Sequence, residues 1–414
     1  MFQSIKDTCY IWEKEMRSVI NDEGVLIFFI LVPLLYPLVY SWAYNNEVVR
    51  DVPVAVVDLS KSHSSRLFVR RCDASPQVKV AYHCTSIDEA RQLMGRQVVR
   101  GILYFPTDFE NRLGRNEQAN VSVFCDMSIM LTYKAIYSTA MEVSLDMNDD
   151  IKVARAGNAT DRDDEILVSP LDFEEVQMFN TTGGYGNFIL PCVLVLILQQ
   201  TLLLGIGLSA GTARENNRYQ DLVPVSRHYN GIFRIVFGKS MCYFMIFAVM
   251  TAYITLIVPR IFGFSHMARP ADLFAVMVPY ILACIFFGML FSCIIRYREN
   301  VMLLVVFTSM PFLFLAGISW PESAIPAAWR SVSYLVPSTF GIRAFVRVNS
   351  MGATLNDVSR EYMWLWIQTA VYFLATCVVY RYHLIKARRH AIERVTAIKN
   401  AVERQKNKGF GEKH

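Results

Sequence analysis

Six stretches of the chain, residues 25–43, 188–210, 235–258, 273–295, 301–318 and 362–380, stay apolar over lengths that match a lipid bilayer. A helix needs ~20 such residues to cross the hydrocarbon core, and one charged side chain at mid-depth costs about 2.5–3.5 kcal/mol. Charged residues are almost absent inside all six runs. Buried helices of a large soluble protein would account for one or two of them, not for six in 414 residues. Hydrocarbon offers no water to the backbone, so each segment has to satisfy its own N–H and C=O groups, and a helix does so. The expectation is a polytopic α-helical membrane protein with six transmembrane helices.

Lys and Arg in short loops set the orientation. Lys6, Lys14 and Arg17 precede the first span; Arg214, Arg218, Arg227, Arg234 and Lys239 follow the second; Arg296 and Arg298 follow the fourth; and the tail is basic from Arg381 onward. An even number of spans puts all of these on one side, so both termini are expected to be cytoplasmic. Arg330, Arg343, Arg347 and Arg360 fall on the other side, so the bias is clear but incomplete. Trp42, Trp320, Trp329, Trp364 and Trp366 lie at or near the outer span ends, where indole rings favour the headgroup layer.

Residues 1–22 carry Asp7, Glu13 and Glu15 and no small-residue cleavage site follows the first apolar run, which excludes a signal peptide. Phe2, Ile5, Cys9, Trp12, Met16 and Val19 recur every three or four residues. That stripe predicts an amphipathic interfacial helix on the inner membrane surface; a helix packed on a partner carries the same pattern. Span 1 (23–44) contains Pro33 and Pro37, kinks that neighbouring helices can tolerate.

Residues 45–183 form one long insertion on the outer side, in which strands alternate with helices. Strands are expected at 53–58, 77–82, 98–106 and 120–126, and helices at 62–72, 86–94, 107–113 and 128–147. Ser86 with Glu89 three residues on is a helix-start signal. The alternation implies an inserted α/β extracytoplasmic domain with a largely parallel sheet. The polar stretch 149–164 reads as a loop, and 181–186 as a glycine-rich hinge into span 2. Of nine cysteines, Cys72, Cys84 and Cys125 fall in this domain. A Cys72–Cys84 bridge and three free thiols both remain open, and no Cys or Cys/His spacing suggests a metal.

Residues 184–383 hold spans 2–6, and 384–414 form a basic cytoplasmic tail. Gly238-Lys239-Ser240 ends like a phosphate-binding loop, but G-x-x-x-x-G-K-S demands glycine where Phe233 stands, and no strand precedes it. The chain is therefore expected to carry no nucleotide site and no cofactor of its own. The segment 319–360, rich in proline and aromatics, is interfacial or re-entrant. Arg343 and Arg347 share a helix face there and could meet lipid phosphates or an anionic substrate. Gln199, Gln200 and Thr201 in span 2, with Thr308 and Ser309 in span 5, serve either helix contacts or a translocation pathway.

No Asp, Glu or Lys falls mid-span, against a proton- or sodium-coupled carrier. The seven histidines are scattered and supply no intramembrane catalytic cluster. No basic, aromatic-laced stretch points to nucleic acid.

Several segments together resemble the permease subunits of type 2 ABC exporters, in the multidrug-type branch with a large extracytoplasmic domain between spans 1 and 2. They are KEMRSVINDEGVLIFFILVPLLYPLVY, PVAVVDLSKSHSSRLFVRR, RGILYFPTDFENRL, RENNRYQDLVPVS with the later GKS, and SWPESAIPAAWRSVSYLVPSTFGIRAFVRVNSMGATLNDV. The resemblance covers nearly the whole chain and rests on order and topology, not on a catalytic signature. It implies a multi-pass inner-membrane permease that exports an amphipathic or hydrophobic substrate, with ATP bound by a separate ABC ATP-binding subunit. It also implies a second permease copy or a paralogue, contact with membrane lipids, and room for a periplasmic adaptor and an outer-membrane channel.

The resemblance further implies that segment 211–230 couples to the ATP-binding subunit. Glu215, Arg218 and Asp221 would supply charge, Leu222 and Val223 an apolar tip, and Pro224 a helix stop. The family's Gly-Thr after the acidic residue is absent, and a solvated loop has a similar composition. A membrane sensor with an extracytoplasmic ligand-binding domain is the alternative function.

Overall fold

The computed structural model describes the chain apart from residues 1, 45–48, 158–159, 170, 172–175, 177, 181–183, 216–221, 223–228, 230, 296, 318–319 and 412–414, and apart from the side chains of 2–3, 185, 394–395 and 397–411. The chain divides into two units: Asn46–Met178, and Met1–Asn45 together with Phe179–His414.

The larger unit begins with α1 (Phe2–Asn21). Its buried face is Asp7, Ile11, Glu15 and Val19, while Ile5 and Cys9 are exposed. The helix is the one expected, but its packed face is rotated away from the N-terminal part of the apolar stripe. Two carboxylates are buried in its place, because span 3 supplies their counter-charges. Asp22 then caps the next helix, accepting from Gly24 N and Val25 N at 3.1 and 3.3 Å, and span 1 (Glu23–Ala43) follows.

The inserted unit holds β1 (Val52–Asp58), α2 (His63–Asp73), β2 (Val78–Cys84), α3 (Ile87–Gly95), β3 (Gly101–Phe105), α4 (Phe109–Gly114), β4 (Ser122–Cys125), α5 (Met130–Ala156) and α6 (Asp161–Val168). The sheet order is β2-β1-β3-β4. β1 runs parallel to both neighbours, and β4 lies antiparallel on β3. Period-2 alternation gives the sheet two apolar faces. Val56, Leu103 and Phe105 pack with Phe68 and Cys72 of α2 and with α5, whereas Ala55, Val57 and Ile102 pack with Cys84 and with Ala90 of α3. Cys72 and Cys84 thus belong to separate cores, and the three thiols of this unit are free. Burial, with the charge of Asp73 beside it, pushes the Cys72 thiol up to about 12.

Where the sequence suggested a loop over 149–164, α5 continues to Ala156, stops at Gly157 with φ +59°, and α6 starts on a Thr160 cap. The polarity there belongs to a helix face: Asp146 and Asp150, one turn apart, are both held by Arg71 of α2 at 2.6 Å.

The remaining spans are Gly186–Glu215, Ile232–Phe262, Pro270–Ile294, Arg298–Leu315 and Ser359–Glu393, numbered 2 to 6. The chain is therefore a multi-pass helical membrane protein with one small sheet inserted after its first span. π-turns at Ile27–Leu31 and Tyr253–Ile257 lie just ahead of Pro33 and Pro259, where each proline removes a backbone donor.

Span 2 is the axis of the bundle: 89% of its apolar window is buried, against 17% in span 5 and 28% in span 1. Small residues permit the approach of its neighbours. A Cβ on Gly205 would lie 2.0 Å from the Phe29 ring of span 1, and one on Gly207 2.4 Å from Val301 of span 5. Between spans 5 and 6 lie α7 (Ala327–Ser333) and the almost wholly buried α8 (Pro337–Met351). The start of α8 reaches span 2, where Ser338 N donates to Gln199 Oε1 at 2.7 Å. Gln199 lies about 20 Å along its helix, near the middle of a ~30 Å hydrocarbon core. The far end of α8 returns to the loop after span 3, with Met267 N donating to Asn349 O at 2.8 Å. α8 thus packs inside the bundle, on span 2 at its start and on the loop after span 3 at its end.

Candidate functional site

Charged groups concentrate at the end of the bundle where α1 packs. Lys239, the eighth residue of span 3, is 6% exposed and bonds Glu15 at 2.9 Å. Glu15 also accepts from the Tyr243 hydroxyl and, at 3.3 Å, from Ser209 of span 2. Burial alone would raise the Glu15 carboxyl; the Lys239 charge and these hydrogen bonds outweigh it and hold the group below the ordinary carboxylate range. One turn nearer the start of span 3, Arg234 pairs with Asp7 at 2.7 Å.

Gly238-Lys239-Ser240 thereby acquires a structural meaning. Gly238 lets α1 lie against span 3, since a Cβ there would sit 2.8 Å from Ile11 Cγ2 and 3.1 Å from the Thr8 carbonyl. Lys239 then supplies the ion pair. Gly238→Val is expected to cost about 1–3 kcal/mol by overpacking, read as a lower apparent melting temperature of the purified protein.

A second node joins α1's end to spans 2 and 5. Asp22 accepts from Thr212 at 2.6 Å and pairs with Arg298 at 3.1 Å. Partial burial opposes its ionisation, but Thr212, the Val25 amide and Arg298 prevail and lower its pKa. Arg214 donates to the carbonyls of Cys293, at 2.9 Å, and Ile295, capping the end of span 4. The ends of spans 2, 3, 4 and 5 are therefore tied to one another or to α1. Of the residues expected to couple, Glu215 ends span 2 and is exposed, and Leu222 is buried; Arg218, Asp221, Val223 and Pro224 lie outside the described residues.

The in-span polar residues separate into two groups. Gln200, Thr201 and Ser309 line one cleft of about 260 Å³ between spans 1, 2 and 5, walled by Tyr36, Tyr40, Leu204 and Leu313. Tyr36 and Tyr40 stack there at 4.7 Å. Thr201 and Ser309 bond carbonyls of their own helices at 2.7 and 2.5 Å. Gln200 is 8% exposed, and neither its amide oxygen nor its nitrogen has a hydrogen-bond partner among the described residues. Gln199 points elsewhere, toward α8 and Cys284 of span 4. Thr308 does not line the cleft; its hydroxyl bonds Leu304 O at 2.7 Å.

Arg343 and Arg347 of α8 are engaged within the protein. Arg343 bonds Ala316 O and Glu322, each at 2.7 Å, and Arg347 bonds Glu361 at 3.2 Å and Asp357 O at 2.8 Å.

The buried pair of Glu15 and Lys239 was missed in the sequence, where Lys239 counted with the loop before span 3. Asp7, Ile11, Glu15 and Val19, every fourth residue of α1, were the available signal for this face.

A central span carrying polar side chains, a buried helix between spans 5 and 6, and an end clamped by ion pairs make up a helical membrane domain. Residues 24–378 match the family described as ABC-2 family transporter protein, and the chain belongs to that family. It is similar to two proteins of Escherichia coli strain K12. One, named probable multidrug ABC transporter permease YbhS, is 21% identical over 332 residues, covering 79% of this chain and 84% of that protein. The other, named probable multidrug ABC transporter permease YbhR, is 20% identical over 358 residues, covering 85% and 91%.

Proposed function

We propose that this chain is the permease subunit of an ATP-driven exporter, moving an amphipathic or hydrophobic substrate out of the cytoplasm or inner leaflet. A separate ABC ATP-binding subunit supplies the energy, and two permeases, as copies or paralogues, form the membrane part. The end bearing α1 is cytoplasmic, in accord with the Lys and Arg distribution, and the inserted α/β unit lies outside. The observation that carries the reading is Gln200. A buried amide without a partner is costly, and it lines a mainly apolar cleft beside the two least buried neighbours of span 2.

A second permease packed on spans 1 and 5 would cover those faces and bring two such clefts together as the pathway. ATP-driven movement of the partner reaches span 2 through segment 211–230, and reaches spans 3 and 5 through α1 and Asp22. Family membership and the names of the two relatives support this reading over a sensor.

Gln200→Leu removes the amide at nearly constant volume. It is expected to leave the protein folded, because no bond within the chain is broken, and to change export in vesicles by about tenfold, the value of one well-placed polar contact. Export unchanged across several amphipathic dyes would place the pathway elsewhere.

A further inference from the structure

A crevice of about 700 Å³ opens on the other side of the bundle, between α1 and spans 3, 4 and 6. Its walls are aromatic and thioether: Phe237, Met241, Phe244, Phe286, Trp366 and Phe373. Its hydroxyls are spent on carbonyls. Ser240 bonds Phe237 O at 3.2 Å, and Thr369 bonds Leu365 O at 2.8 Å and Pro279 O at 3.1 Å. The middle of the crevice therefore offers an occupant only hydrocarbon contact.

Its end at α1 differs, being formed by Ser4, Thr8 and Arg234. Arg234 uses Nη1 on Asp7, and its side chain remains 34% exposed. A guanidinium carries five N–H donors in a planar fork, well suited to phosphate oxygens. Arg234 is the third residue of span 3, at the bilayer edge, whereas Phe244 lies about 18 Å along the same helix, near mid-bilayer. From Arg234 to Phe244 the crevice thus runs about one leaflet, with its cation at headgroup level and its apolar part at acyl-chain level.

We propose that this crevice holds a resident phospholipid from the leaflet on the α1 side, its phosphate on Arg234 and one acyl chain between spans 3 and 6. The site is separate from the cleft at Gln200 and independent of what the protein exports. It gives span 3 a lipid contact beside the Asp7–Arg234 and Glu15–Lys239 pairs, so bound lipid and the seating of α1 are coupled.

The test is native mass spectrometry of the full-length protein released into mild detergent from nanodiscs of phosphatidylethanolamine and phosphatidylglycerol. One phospholipid per chain is expected to survive release. Arg234→Gln, which removes the charge, is expected to weaken its retention about tenfold, the usual value of a charge-assisted bond. Ala370→Phe, which fills the crevice from the exposed side of span 6, is expected to abolish retention while Asp7–Arg234 stays intact. Phe307→Ala on the exposed face of span 5 is the control and is expected to retain the lipid. Dioleoylglycerol added to the nanodiscs is expected not to be retained. Retention unaffected by both crevice substitutions, retention of dioleoylglycerol equal to that of phospholipid, or a wild-type protein that releases bare would each overturn the proposal. Size-exclusion profiles of the two variants report folding separately, and either one that remains monodisperse suffices for the comparison.

Discussion

Glu15→Ala is expected to destabilise the membrane unit by about 3–5 kcal/mol, because it leaves the Lys239 ammonium buried without its counter-charge. The two side chains are each 8% exposed, and their 2.9 Å contact is reinforced by Tyr243 and Ser209. A surface pair would contribute no more than about 1 kcal/mol. The paired replacement Glu15→Leu with Lys239→Met removes both charges at similar volume and is expected to recover most of the loss, since apolar packing can match a buried ion pair. Apparent melting temperatures of the three proteins in one detergent check this. Equal losses in the single and paired variants would mean that packing, not charge, seats α1.

The pH dependence has a defined sign. The folded Glu15 carboxyl titrates below its ordinary value of 4.5. Its stabilising contribution is therefore complete above that value and is lost as the pH falls below it, through the depressed folded pKa. The paired variant lacks this contribution and is expected to lose less stability over the same acid range.

The spans were legible because hydropathy alone decides them; each run satisfies its own backbone whatever its neighbours do. The sheet was legible for a similar reason, as PVAVVD and RGILYFP carry their strand character locally. The errors lie where the partner is distant in sequence. Asp150 looked like a loop residue until Arg71 of α2 gathered it with Asp146 on one helix face. On α1, Ile5 and Cys9 of the stripe are exposed, and what the stripe did not reveal is a second face, packed through Asp7 and Glu15, whose partners Arg234 and Lys239 belong to span 3. Local periodicity assigns charged residues to the solvent side of a helix, so a buried ion pair turns that side inward. Of the in-span polar residues, Gln200, Thr201 and Ser309 share a cleft, but adjacent positions on a helix face different neighbours, and Gln199 turns to α8.

The second large effect concerns energy supply. Gly238-Lys239-Ser240 of the proposed permease is not built as a phosphate-binding loop: Gly238 and Lys239 pack against α1, and Phe233 stands where the loop needs glycine. Concentrative export should therefore fall to background without the ATP-binding subunit, a larger loss than any single side chain would cause. The direct measurement is ATP hydrolysis and dye export in vesicles holding this chain alone, its ATP-binding partner alone, or both. ATP-dependent export is expected only from the pair, with hydrolysis stimulated by the permease and the stimulation lost in Glu215→Lys with Asp221→Lys. ATP hydrolysis by the purified chain alone, or ATP-driven export by it without the partner, would contradict a permease powered by a separate subunit.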